Sequence, residues 1–285
     1  MKRLLILMLA LCLLSGLIAA HAEPDAHAPI AQGVALAVDL DGDGAEETVC
    51  WDMLPCKYDK CLTVTVTGAD GATVTYDTAI LGEGAVYVID LDGDGASEIL
   101  MTGDVMSDDY YTWCVQYRGG RLFEVLFPDG NRGENTDGYY KQGYGIITRL
   151  TDDVVELTGS QDVLGTWMAS RVVRLDSPGR FEFADNFMWE RAADNFDDDD
   201  LWEYRALTVK APIAYVGTHG HDSGTLNPGD RLLVYATDKQ SEALFVTPDD
   251  VTGILSISRN DEQGWGWLVD GVPEEACFEQ VRYAD

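Results

Sequence analysis

Positive charge is scarce in this chain. Nineteen Lys and Arg stand against 50 Asp and Glu, a net charge of −31 over 285 residues. Such a field repels phosphate backbones and anionic headgroups, which excludes nucleic acid and acidic membrane surfaces as partners. Histidine is scarcer still, with four residues. His21 and His27 lie near the start, and the other two sit in His219-Gly220-His221-Asp222-Ser223-Gly224. That leaves too few ligands for a histidine-rich metal hydrolase, and Ser223 lacks the setting of a protease triad. The segment reads as an exposed loop between strands. Long apolar runs are limited to one: Lys2 and Arg3 precede Leu4 to Ala20, followed by the small-x-small site Ala20-His21-Ala22. Residues 1–22 are therefore expected to be an export signal that is removed from the mature chain. Leu11 is too large for the position before Cys12 in a lipobox. No later segment is apolar enough to cross a bilayer, so no stable membrane span is expected after cleavage.

What remains is rich in core-forming residues. Apolar types make up 46% of the chain, enough for a folded rather than a disordered protein. A mature length of about 260 residues fits two domains. Once Cys12 is gone, Cys50, Cys56, Cys61, Cys114 and Cys277 remain, an odd number that leaves at least one thiol unpaired or paired outside the chain. Exported proteins are usually oxidised. Cys50 and Cys61, flanking a turn expected around Pro55, are one candidate pair, and Cys56 with Cys61 is another. Their spacings, with no histidine nearby, do not suit zinc.

The most informative stretch occurs twice. Asp39-Leu-Asp41-Gly-Asp43-Gly-Ala-Glu46-Glu47 returns as Asp90-Leu-Asp92-Gly-Asp94-Gly-Ala-Ser97-Glu98. Each copy gathers aspartates at positions 1, 3 and 5 and a glutamate at position 9. Carboxylates packed this tightly repel one another unless a cation sits among them. Oxygen-only ligands favour a hard ion, and Ca2+ tolerates irregular loop geometry better than Mg2+. The candidate ligand sets are Asp39, Asp41, Asp43, Ala45 and Glu47, and Asp90, Asp92, Asp94, Ala96 and Glu98. Gly42, Gly44, Gly93 and Gly95 allow the backbone to wrap. Position 12 is Cys50 or Met101, not a carboxylate, and strand-like runs flank each loop: Val34 to Val38 and Thr48 to Trp51, then Ala85 to Ile89 and Ile99 to Thr102. Each loop is thus expected at the tip of a β-hairpin rather than between helices.

This pattern resembles the FG-GAP/VCBS repeat family, whose blades carry Asp-x-Asp-x-Asp-Gly-x-x-Asp between their first two strands. Glu47 and Glu98 stand where that family has a final Asp, and Gly103 falls where it often has glycine. The resemblance covers residues 33–190 and implies calcium-binding, propeller-type sheets. The repeat extends past the loops. Cys61 to Thr67 alternates with period two and turns at Gly68–Gly71 into Thr73 to Tyr76. Tyr110 to Tyr117 turns at Gly119-Gly120 into Leu122 to Phe127. A third copy lacks the acidic loop: Gly145 to Leu150 turns into Val154 to Gly159, Thr166-Trp167 aligns with Thr112-Trp113, and Gly179-Arg180-Phe181 aligns with Gly120-Arg121-Leu122. The units are expected to stack, since none buries its face alone. Three units are too few for an ordinary closed propeller. Tyr139, Tyr140 and Tyr144 are candidates for a sugar-binding surface or for strand-edge packing.

Asp194-Asn-Phe-Asp197-Asp-Asp-Asp200 reads as a solvated linker; a third cation site there would lack the glycines. Beyond it, Leu226 to Tyr235 and Gly264-Trp265-Gly266-Trp267-Leu268-Val269-Asp270-Gly271-Val272 resemble a bacterial SH3-like domain. The resemblance implies an aromatic groove, with Tyr235, Trp265 and Trp267 as candidates, Trp267 serving equally as core. The expected fold is therefore all-β. A propeller-like or stacked array of three four-stranded units fills residues 23–205, and a small SH3-like barrel fills 206–285. The expected function is that of an exported, non-catalytic protein with two structural Ca2+ sites. It would bind at a cell surface or outside the cell, with cell-wall peptide, glycan or another surface protein as partner. The alternative is a secreted hydrolase, or an accessory subunit of a system degrading cell wall or polysaccharide. Acidic residues abound for it, but no pair singles itself out.

Overall fold

Period-two alternation, broken by Gly and Asp turns, becomes sheet throughout. The computed structural model describes residues 27–57, 59–106, 109–128, 139–177, 179–184, 188–190, 199–218, 222–260 and 266–283. The expected export signal and most of the 194–200 acidic run lie outside these residues. Among them, no helix is long and apolar enough to cross a membrane.

The chain first lays down a four-stranded antiparallel meander: β1 (Leu36–Val38), β2 (Glu47–Cys56), β3 (Asp59–Thr67) and β4 (Thr73–Asp77). A second follows in the same order: β5 (Gly84–Ile89), β6 (Glu98–Met106), β7 (Asp109–Arg118) and β8 (Arg121–Glu124). Short β9 (Phe127–Pro128) pairs with β10 (Tyr139–Tyr140), and β11 (Gln142–Tyr144) pairs with the first half of β7. The third meander is β12 (Ile146–Leu150), β13 (Val155–Asp162), β14 (Thr166–Ser177) and β15 (Arg180–Phe183). Trp113 and Trp167, aligned from the sequence, both lie on the third strand of their unit, and the two Gly-Arg pairs both open the fourth.

Two cores run between these sheets. Val49, Trp51, Leu62, Val64 and Val66 of the first meander pack with Val86, Ile99, Met101, Trp113 and Val115 of the second. The intervening residues Leu100 and Cys114 point the other way, into a core with Val155, Leu157, Val173 and Phe181 of the third. One side of the middle sheet thus faces each neighbour, as the pleat requires. Phe127 stacks on Phe181 at 4.4 Å between ring centres. Polar groups also reach across this second interface: Thr112 Oγ1 donates to the Gly145 carbonyl at 2.8 Å, and Ile147 N donates to Thr102 Oγ1.

Gly103 on β6 marks the closest approach within the second unit. A β-carbon there would collide with the Glu83 carbonyl oxygen and stand 2.7 Å from Ile80 Cγ2 and 2.9 Å from Gly84 Cα. Because most of these neighbours are backbone or fully buried, Gly103→Ala is expected to cost about 1–3 kcal/mol. Urea unfolding measures it, and a midpoint equal to that of the parent chain would contradict the packing described.

The rear of the chain forms β16 (Met188–Glu190), α1 (Asp199–Arg205), β17 (Leu207–Thr208), β18 (Ile213–Gly217), β19 (Ser223–Leu226), β20 (Arg231–Thr237), β21 (Glu242–Val246), β22 (Thr252–Arg259), β23 (Trp267–Val269), β24 (Val272–Pro273) and α2 (Glu274–Cys277). Its core holds Leu232, Val234, Phe245, Leu255, Ile257, Trp267 and Phe278. Val163, Leu164, Trp167 and Ala169 join that core from the front side of residue 205. β14 is the reason. Its first half packs into the rear core, its second half supplies Val173 and Leu175 to the third meander, and β16 pairs with both β14 and β20. Trp267, fully buried, donates from Nε1 to the Asp162 carbonyl at 2.7 Å, with Arg259 over its ring at 4.2 Å.

One expectation is corrected here. The turn after β2 lies beyond Pro55, which is paired inside the strand opposite Lys60, and Cys56 opposite Asp59 closes the hairpin. Pro55 is tolerated because β1 pairs only with residues 47–49, so the proline stands where β2 has an open edge. The register sets Cys50 opposite Thr65. Four residues separate Thr65 from Cys61, roughly 13 Å of strand, so Cys50 and Cys61 cannot be bridged.

Candidate metal centres

The acidic loops connect β1 to β2 and β5 to β6. Their folding follows from aspartate's habit of accepting hydrogen bonds from nearby backbone amides. Asp39 Oδ1 accepts from Gly42 N and Asp39 Oδ2 from Gly44 N, both at 2.9 Å. Asp90 does the same with Gly93 N at 2.8 Å and Gly95 N at 3.0 Å. Ala45 N donates to Asp43 Oδ1 and Ala96 N to Asp94 Oδ1, each at 2.8 Å. The glycines take φ of +72° and +87° in the first loop and +72° and +90° in the second, where a β-carbon would be strained. Two distant segments therefore close into the same shape.

The outcome is two triads. Oxygens of Asp39, Asp41 and Asp43 lie within 4.8 Å of one another, as do those of Asp90, Asp92 and Asp94. Glu47 and Glu98 take a different place. Each opens the strand after its loop and is buried, at 3% and 0% exposure, and its Oε2 accepts from the amide of Leu40 or Leu91 at 2.9 Å. Glu98 Oε1 also accepts from Gln116 Nε2 at 2.6 Å. Burial is the main cause that pushes Glu98 up to about 7, while its two donors pull the other way. Asp92 is raised as well, by burial first and then by the charges of Asp94 and Asp90.

The donor set fits a hard cation. It is made of carboxylate oxygens, carried on a backbone that curls around the triad. Asp41 Oδ1 is closed off from solvent and has no hydrogen-bond partner, a costly state for a carboxylate that a cation would relieve. Asp39, Asp41 and Asp43, and Asp90, Asp92 and Asp94, are the residues that would hold it, with Glu47 and Glu98 bracing the loops from beneath.

The two loops also touch. Ser97 N donates to the Leu40 carbonyl at 3.0 Å, and a β-carbon on Gly42 would stand 3.2 Å from the Gly95 carbonyl oxygen. Asp41 Oδ2 accepts a long bond, 3.4 Å, from Gly119 N at the β7–β8 turn. Sequence spacing located the aspartates, but not that Ser97 of the second loop would touch the first, nor that Gln116 and Gly119 would approach the loops, which they do only through the pairing of separate strands.

The other candidates are less concentrated. Trp267 is core. Trp265, His219 and His221 lie outside the described residues, as do the side chains of Tyr139 and Tyr140. Tyr144 is half-buried, its hydroxyl 2.6 Å from Ser160 Oγ and its ring edge-on to Tyr111 at 5.3 Å, which is packing. Asp222 and Ser223 belong to the β18–β19 hairpin, where Asp222 O accepts from Gly217 N.

No family model, curated protein or solved structure matches this chain.

Proposed function

We infer that the protein is an exported, non-catalytic calcium-binding module that works at a cell surface or outside the cell. The observation that carries this reading is the recurrence of one aspartate triad, with one pattern of backbone hydrogen bonds, at equivalent hairpin tips of two adjoining sheets. Calcium bound there supplies positive charge to loops that otherwise hold their acids against mutual repulsion, and so ties metal binding to folding. The front sheets then act as a stacked, propeller-like array, since the middle meander packs a neighbouring meander against each of its faces. The rear strands act as a small SH3-like barrel. Such a scaffold presents loops and sheet edges to a partner, and wall peptide, glycan or another surface protein is the partner class that suits an acidic, exported chain.

Equilibrium dialysis is expected to find two calcium ions per chain, and one in either Asp41→Ala or Asp92→Ala. Affinity is expected in the range of extracellular modules, Kd on the order of 10⁻⁴–10⁻³ M. Absence of bound calcium would end the metal reading. The binding role is tested separately: the calcium-loaded chain should be retained on purified cell wall and released by EDTA. A chain that holds calcium yet passes through wall polysaccharide and wall peptide alike would overturn the adhesive part alone.

A further inference from the structure

The far end of the β2–β3 hairpin, away from the acidic loops, carries two thiols that the calcium reading leaves without a role. Cys56 faces Asp59 across the ladder and Leu54 faces Cys61. Alternate residues of a strand share a face, so Cys56 and Cys61 are diagonal neighbours on one side of the hairpin. Their thiols are in hydrogen-bonding contact. Both line a cavity of about 480 Å³, together with Trp113 and Gln142 from the second unit. Cys61 is fully buried and Cys56 partly exposed. The remaining thiols are elsewhere: Cys114 sits in the core between the second and third units, Cys277 in the rear core, and Cys50 six residues along β2 from Cys56, roughly 20 Å away. Among the described residues only one pair can meet without moving the backbone far.

We propose that Cys56 and Cys61 form a reversible disulfide, an oxidisable latch beside the turn that closes the β2–β3 hairpin. The oxidant is a low-molecular-weight disulfide. The Cys56 thiolate, the accessible one, attacks one sulfur of the small disulfide. This forms a mixed disulfide and expels the first small thiolate. Cys61 then gives up its proton and attacks Cys56 Sγ, forming the internal S–S bond and expelling the second small thiolate. Two electrons pass from the protein thiols to the small disulfide, and the two protons end on the released thiols. Burial, with the neighbouring Cys56 thiol, pushes Cys61 up to about 12, which makes the second step the slow one near neutral pH. The latch does not depend on cation binding at the opposite end of the hairpin.

The test uses the full chain, folded, equilibrated with oxidised glutathione, quenched in acid, alkylated and digested with trypsin. Lys57 and Lys60 lie between the two cysteines, so cleavage separates them. The expected product is a pair of peptides, one ending at Lys57 that also carries alkylated Cys50 and one running from Cys61 to Arg118 that also carries alkylated Cys114, joined until reductant is added, with fragment ions placing the link between Cys56 and Cys61. Cys50→Ser should leave that link in place. Cys61→Ser should trap Cys56 as its glutathione adduct. Recovery of both cysteines in alkylated form after oxidation would overturn the proposal. So would a lasting glutathione adduct on Cys56 in the parent chain, or a link from Cys56 to any other cysteine.

Discussion

Adding about 10 mM calcium to the EDTA-treated protein is expected to raise its thermal midpoint by ~10 °C or more, and the paired variant Asp41→Ala with Asp92→Ala is expected to lose that response. The magnitude follows from mass action. At the tighter end of the expected affinity range this concentration is about 100 times Kd, where one site that binds only the folded chain contributes about 2.7 kcal/mol, so two contribute about 5 kcal/mol. In a chain of this size each kcal/mol moves the midpoint by about 2–4 °C. The direction follows from the loops themselves. Asp92 is raised by burial and by its acidic neighbours, and Asp41 Oδ1 is shut away without a donor. Without metal these carboxylates weigh against folding, so the variants should lose the calcium response while melting near or above the parent in EDTA. Equal midpoints in EDTA and in calcium, measured by calorimetry, would remove structural calcium from the account.

Trp267→Ala is expected to destabilise the protein by about 3–5 kcal/mol, the range for deleting a fully buried aromatic ring. Trp267 has no exposed surface and lies in the core formed by β20, β21, β22 and the first half of β14. Its loss also strands the Asp162 carbonyl and uncovers the Arg259 guanidinium. Trp267→Phe keeps most of the ring area but not the indole donor, and should cost about 1–3 kcal/mol from the unpaired carbonyl. Urea unfolding of both variants separates the packing contribution from the hydrogen bond. An alanine variant as stable as the phenylalanine one would mean that the ring's burial counts for little.

What the residues disclosed on their own was whatever depends on short spacings. Asp39, Asp41 and Asp43 meet because Gly42 and Gly44 curl five residues, and the same holds from Asp90 to Asp94. The strands alternate visibly, and Thr112-Trp113 and Thr166-Trp167 do occupy equivalent strands. What stayed hidden depends on partners far along the chain. Gln116 reaches Glu98 only because β6 and β7 pair in one register of several that the alternation permits. Glu47 and Glu98 look like ligands by spacing, yet the strand that each one opens turns the carboxylate under the loop, onto the amide of Leu40 or Leu91. The hairpin turn after β2 was misplaced because Pro55 resembles a turn residue, and only the short reach of β1 explains how a ladder accommodates it.

The double allegiance of β14 bears on how the molecule can be taken apart. A gene cut near residue 205 looks natural, since an acidic run and a change of composition mark the place. Yet such a cut would hand Val163, Leu164, Trp167 and Ala169 to the front fragment while their packing partners went to the rear one. Each half would then display a greasy scar and be prone to clump. Keeping β13 to β15 with the C-terminal piece only moves the scar, since Val155, Leu157, Val173 and Phe181 pack with Leu100, Cys114 and Phe127, so recombination between relatives of this chain should rarely leave crossovers anywhere in that stretch.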